Sequence, residues 1–286
     1  MGRRKLIINA DDYGVCKETN KAITGLILNN KITSTSLIAT ASASDEAIEL
    51  AKKHNIKVGV HLALNSDYPH HPWQPAAPAD KVRSLTDDTG YLNYDLNKFK
   101  KKAKSKEVSL ECDSQYDYIV SRGVTVDHAD NHCGTLYGIN GRLFFYNAFK
   151  FCRDKALPFR FPKRNTFLKA SFPDGLPRYI IWAHKFVLSR ALKYTVRLID
   201  DMITNPYPID EIDGYKGLSA YYLEKIRNIG EGVTELFLHP SYDAPVYNQD
   251  KEWLKRVYEL EFLNSKELEQ LLIEEGIEKV DYSAVL

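Results

Sequence analysis

Residues 5–14 read KLIINADDYG. The apolar run Leu6, Ile7, Ile8 is short and ends in two β-branched residues, which suits a buried strand and not a helix. Two adjacent carboxylates, Asp11 and Asp12, then stand where that strand ends, followed by Tyr13 and Gly14. Ionised carboxylates repel one another and are costly to bury without a partner. The pair therefore asks for a cation or for a reaction. Successive side chains of a strand face opposite ways, so both serve one site only if the chain turns there, and Gly14 permits a turn.

Outward from this stretch the chain alternates strands and amphipathic helices. KETNKAITGLILNN (17–30) reads as a helix with Ala22, Ile23, Leu26 and Ile27 on one face. STSLIAT (34–40) is a second strand, and SDEAIELAKKH (44–54) a helix with Ser44 and Asp45 available as caps. KVGVHLAL (57–64), VTVDHAD (124–130), LPFRF (157–161) and VTELFLH (233–239) follow as strands, and EKVDYSAV (278–285) closes the set. Strands separated by helices predict parallel βαβ units, hence an α/β protein with an irregular (β/α) barrel; a doubly wound open sheet is the alternative.

The spacing predicts one domain over residues 1–286, with two departures from the rhythm. Residues 65–92 carry four prolines, a loop insertion of the kind that serves as a lid or binding loop. Residues 162–215 are rich in aromatic and basic side chains and show no clear period; they would cover the site or make a subunit interface, so a homodimer is allowed.

The net charge of +1 offers nothing to a polyanion, and no nucleic-acid partner is expected. The basic cluster Lys100–Lys104 reads as a solvated helix face. No apolar run approaches the roughly 18 residues of a membrane span, so no membrane partner is expected. The first residues lack the apolar core of a signal peptide, which predicts a cytoplasmic protein. Cys16, Cys112, Cys133 and Cys152 are irregularly spaced without a CxxC, which suits free thiols.

In parallel α/β architectures, chemistry collects at the carboxyl ends of strands. There the sequence places Asp11 and Asp12, His61, the run DHADNH with His128, Asp130 and His132, and His239 before PSYD. Asp12, His61 and His132 make a candidate metal triad, since two imidazoles and a carboxylate with open positions suit a catalytic divalent ion. His128 and His132 would be roughly 13 Å apart on an extended strand at about 3.3 Å per residue, so one of them is chosen; His132 lies nearer the loop. Asp130 is then placed to orient a ligand histidine. Asp11 is the candidate general base beside the ion, and His239 the general acid. Cys133 adjoins His132, but neighbours on a strand face apart; a thiolate ligand there would turn the preference toward zinc.

LIINADDYG, GVHLAL near residue 60, DHADNH near 130 and ELFLHPSYD near 240 together resemble the YdjC-like carbohydrate deacetylases, the group containing chitooligosaccharide deacetylase. The resemblance runs in order from residue 5 to about 243. It implies a (β/α) barrel of polysaccharide-deacetylase type and one divalent metal ion, magnesium favoured and zinc the alternative. It also implies removal of acetyl groups from small N-acetylated carbohydrates: chitooligosaccharide, diacetylchitobiose or its 6-phosphate. The metal ligands fall on Asp12, His61 and His132, the base on Asp11, and the late histidine on His239. Arg160, in PFRF, resembles a family arginine and would bind a substrate oxygen or phosphate. The run HCGTLYG after His132 departs from the histidine-rich run common in the family.

In this reading Asp11 deprotonates a water activated by the ion, and His239 protonates the leaving amine. Tyr68 and Trp73, in the proline-rich loop, are candidates for stacking on sugar faces. A metal-dependent phosphoester hydrolase and a non-catalytic sugar-binding or regulatory protein on the same barrel are the alternatives. Two-metal phosphatases call for more carboxylates at the strand ends than these motifs supply.

Overall fold

The computed structural model describes residues 3–138, 141–170, 172, 175–247 and 250–285. The opening stretch forms the central strand, β1 (Arg4–Tyr13), whose apolar residues are wholly buried. Six further strands follow: β2 (Ser34–Leu37), β3 (Val58–Leu62), β4 (Val126–Asn131), β5 (Asp201–Ile203), β6 (Gly232–Leu238) and β7 (Glu278–Lys279). They make one sheet in the order β4-β3-β2-β1-β6-β5, and all their pairings are parallel. β7 pairs with Lys5 and Leu6 at the start of β1, while β2 pairs further along at Asn9 and Ala10.

The expected barrel is present, and its last side is thinly built. LPFRF yields no extended strand. Within it Phe159 alone bridges to Ala129 of β4 on one side and to Leu198 on the other, both in parallel. Arg160 N–H donates to the Ala129 carbonyl at 3.0 Å and Phe159 N–H to that of Arg197 at 2.9 Å. Three residues after Leu198 the chain enters β5, which pairs with β6, so the order returns on itself. EKVDYSAV gives only the two-residue β7 and then a turn carrying the buried Tyr282.

Ten helices join these strands among the described residues: α1 (Lys17–Leu28), α2 (Ser44–His54), α3 (Leu96–Lys102), α4 (Ser105–Val120), α5 (Phe145–Lys155), α6 (Thr166–Ala170), α7 (Arg178–Lys193), α8 (Gly214–Arg227), α9 (Trp253–Asn264) and α10 (Lys266–Glu274). α1 buries Ala22, Ile23 and Leu26 as its period requires. α2 is not capped by Ser44 or Asp45. Its N-cap is Ala43, which offers no side-chain bond, and Asp45 instead accepts the Tyr118 hydroxyl at 2.6 Å. The irregular region contains α7, which buries His184, Val187 and Ala191 at helical spacing and leaves Tyr179 and Trp182 exposed. No described helix is long and apolar enough to cross a membrane.

His128 belongs to the barrel interior. It is fully buried, stacks on Tyr282 at 3.6 Å between ring centroids, and pairs through Nδ1 with Asp127 at 2.6 Å. Its ring covers Gly59 so closely that a β-carbon there would lie 2.1 Å from Nε2. Gly59→Ala is therefore expected to cost about 1–3 kcal/mol of overpacking strain, read as a lower denaturation midpoint. An unchanged midpoint would show that the imidazole is free to withdraw.

Candidate active site

β1 does not remain a strand through the carboxylate pair. Its register with β2 runs Asn9 to Ser34 and Ala10 to Thr35, then jumps to Tyr13 with Leu37. The break falls on Asp12, whose φ of 69° is left-handed. A non-glycine residue there costs on the order of 1–3 kcal/mol, a strain that usually marks a functional site. The twist turns Asp11 and Asp12 into the same cavity. The turn foreseen at Gly14 thus begins two residues earlier, while Gly14 at φ 106° completes it in a space hemmed by Ile38 and Ser44.

Asp12 is 1% exposed. Its Oδ1 lies 3.5 Å from His61 Nε2 and 3.6 Å from His132 Nδ1, with no hydrogen-bond partner of its own among the described residues. The ligand atoms of Asp12, His61 and His132 all fall within 4.8 Å of one another. Each histidine is held from behind. His61 Nδ1 is 2.7 Å from Asp130 Oδ1, and His132 Nε2 is 2.5 Å from Asp67 Oδ1. A carboxylate on the far nitrogen fixes the tautomer and leaves the near nitrogen a lone pair, the arrangement typical of metal-ligating histidines. Asp130 thus stands where an orienting carboxylate was expected. Trp73 packs on His132 at 5.3 Å.

Asp11, 2% exposed, is gripped at both oxygens by Arg160, Nη1 to Oδ2 and Nη2 to Oδ1 at 2.7 Å each, and accepts from Asn9 Nδ2 at 2.7 Å. Arg160 also donates through Nε to Glu235 at 2.7 Å and pairs with Asp130 at 2.7 Å. This guanidinium, 1% exposed, lies in the cavity floor with its donors engaged by three carboxylates. The arginine expected to reach a substrate oxygen reaches Asp11, Asp130 and Glu235 here. His239 stands at the mouth, its side chain 34% exposed, with Nε2 4.0 Å from Asp11 Oδ2. Its backbone N–H donates to Glu259 at 2.7 Å, and Nδ1 lies 3.8 Å from the same carboxylate.

The charges show what the site wants. Burial alone would lower the histidines, yet Asp130, Asp11 and Asp12 hold His61 above its ordinary value, and Asp67 with Asp12 holds His132 well above. Burial would raise Asp12, but Arg256, His132 and His239 keep it well below the usual carboxylate range. Anionic neighbours raise the histidines and cationic neighbours lower Asp12, and the buried carboxylates outnumber Arg160 and Arg256, so the cluster draws in positive charge. The orphaned Asp12 oxygen and two oriented imidazoles fit a divalent ion.

Four contributors escaped the sequence reading: Asp67, Glu235, Arg256 and Glu259. Arg256, on α9, lies 2.7 Å from Asp12 Oδ2. The signal was there, since Trp253, Arg256, Glu259 and Leu263 share the inward face of an amphipathic helix. Glu235, between Thr234 and Leu236 in a buried strand, is likewise a charge where none is expected. Asp67 and Tyr68 come from the proline-rich loop, which forms a wall of the cavity. Trp73 is 2% exposed and Tyr68 is half-buried with its hydroxyl on Asp250, so Trp73 supports a histidine and is not a sugar platform. All four cysteines are free. The whole encloses a cavity of about 420 Å³ lined by Asp11, Asp12, His61, His132, His239 and Arg256 among others.

The chain has relatives along its entire length. A carbohydrate deacetylase of Enterococcus faecalis is 28% identical over 292 residues, covering 100% of this chain and 99% of that protein. One from Thermoanaerobacter pseudethanolicus is 25% identical over 280 residues, covering 97% and 98%. Among solved structures, an Enterococcus faecalis protein named for cellobiose-phosphate cleavage superimposes with a TM-score of 0.78 at 26% identity, over 99% of this chain and 98% of that one. The model of the YdjC-like protein family matches residues 5–274, from the first strand past the helix that carries Arg256, and the chain belongs to that family.

Proposed function

We propose that this chain is a divalent-metal-dependent hydrolase that removes the acetyl group from N-acetylated sugars, chitooligosaccharide, diacetylchitobiose or its 6-phosphate, giving acetate and the amino sugar. One observation carries the reading: a buried carboxylate oxygen without a hydrogen-bond partner faces two oriented imidazoles, immediately beside a clamped carboxylate. Family membership and the names of the relatives support it. The cavity is in the size range of small-molecule sites.

Asp12, His61 and His132 would hold the ion, magnesium by family resemblance and zinc as the alternative. When bound, such an ion polarises the acetyl carbonyl and makes a nearby water more acidic. Asp11 accepts the proton of the attacking water. Arg160 fixes the plane of that carboxylate through its paired bonds, so we assign it positioning and not substrate contact. His239, across the cavity mouth, hands a proton to the departing amine nitrogen, with Glu259 anchoring it at its backbone. Phosphoester hydrolysis with two ions is less well served, because Asp130 and Glu235 are already engaged by Arg160.

An acetate-release assay over a panel of N-acetylated sugars tests the proposal. Chelation is expected to bring turnover to background, and added magnesium to restore it. Release from none of the sugars by protein that binds the ion would favour a non-catalytic sugar-binding role; turnover unaffected by chelation would remove the ion from the mechanism.

A further inference from the structure

His132 is followed by a cysteine that the strand pattern would turn away from the site. Instead Cys133 adopts a left-handed conformation, φ 50° and ψ 20°. That twist brings its thiol back to the side of His132, with Sγ 3.8 Å from Asp67 Oδ1, the same oxygen that sits 2.5 Å from His132 Nε2. Sulfur, carboxylate oxygen and imidazole nitrogen thus lie within 4.8 Å of one another at the cavity wall. Cys133 is exposed, whereas Cys16, Cys112 and Cys152 are buried. We propose that Asp67, His132 and Cys133 form a second cation site, selective for thiophilic divalent ions, whose occupancy opposes that of the Asp12–His61–His132 centre.

The donor set decides the selectivity. A thiolate beside an imidazole and a carboxylate suits zinc or cadmium, and magnesium, which takes oxygen ligands, does not compete for it. On binding, the Cys133 thiol releases its proton to solvent and the sulfur takes the ion. The opposition follows from the ring. A neutral imidazole carries one N–H and offers one lone pair. With the proton on Nε2, facing Asp67, Nδ1 is free toward Asp12. An ion seated on Nε2 requires that proton to move, through solvent, to Nδ1. The ring then presents an N–H to Asp12 and no longer serves the first centre. As a neutral ring, His132 can face either ion, but not both.

The opposing effect on turnover rests on the deacetylase reading; the binding itself does not. Cadmium titrated into the protein should produce sulfur-to-metal charge-transfer absorption in the ultraviolet. Cadmium at the first centre gives no such band, since that centre has no sulfur. The band should vanish in Cys133→Ser, weaken in Asp67→Asn, and require more cadmium when magnesium is raised. An absent band, or an equal one in Cys133→Ser, overturns the site. In the acetate assay at fixed magnesium, Cys133→Ser should need at least about tenfold more cadmium for half-inhibition. A visible band with no change in cadmium sensitivity overturns the opposition. Cys133→Gly, which relaxes the left-handed backbone while also removing sulfur, must behave as Cys133→Ser does; a band in it would likewise overturn the site.

Discussion

Asp11→Asn is expected to lower acetate release by about two to four orders of magnitude, the usual size of a lost general base, while the protein still binds its ion. The substitution preserves volume and keeps one oxygen for Arg160, so the ring of bonds from Asn9 and Arg160 is only partly broken. What it removes is the capacity to take a proton. Two measurements separate the outcomes. Direct titration with the ion should give an affinity within a few-fold of the parent, because Asp12, His61 and His132 are untouched. Turnover at saturating sugar should fall, with little change in the sugar concentration needed for half-saturation. If turnover persists within a few-fold, Asp11 is not the base. If ion binding is lost as well, Asp11 is part of the first coordination sphere.

Arg160→Met should act on stability far more than on sugar binding. Asp11, Asp130 and Glu235 converge on this one guanidinium, and all three carboxylates are almost wholly buried. Removing one partner of a buried ion pair typically costs about 3–5 kcal/mol, because the remaining charge has no solvent to turn to. For a chain of this size that corresponds to a fall in Tm of roughly 5–8 °C. Arg160→Lys should fall in between: a compact ammonium keeps the charge but does not bridge three carboxylates at fixed angles. Had Arg160 contacted substrate, the signature would be the reverse, a weakened sugar affinity at an unaltered Tm. That result would return it to the role its place in PFRF first suggested.

The sequence disclosed those parts of the fold in which several neighbours repeat one instruction. Leu6 to Ala10, Val58 to Leu62 and Val233 to Leu236 announce strands because consecutive side chains all belong inside. β5 passes unnoticed because three residues are too few to establish a period, and LPFRF, which reads as a strand, yields only the single bridging residue Phe159. α7 is obscured by Tyr179, Trp182 and Phe186 on its outer side, which dilute the spacing of His184, Val187 and Ala191. The candidate site follows the same division. Asp12, His61 and His132 sit at strand ends that can be counted, and they do converge. Asp67, Arg256 and Glu259 arrive from a loop and a late helix, and no local spacing says which strand they will face. The carboxylate partners of Arg160 could not be foreseen from PFRF, since its surroundings depend on three residues far away in the chain.

The ion pair between Arg256 and Asp12 bears on how the protein matures. Asp12, the carboxylate of the proposed centre, already has a counter-charge on its other oxygen, supplied by the chain itself. A newly synthesised polypeptide can therefore close its barrel around that residue and acquire its inorganic partner later. With the proposed ion, assembly and loading would be separate events, unlike those small domains in which the metal is the scaffold.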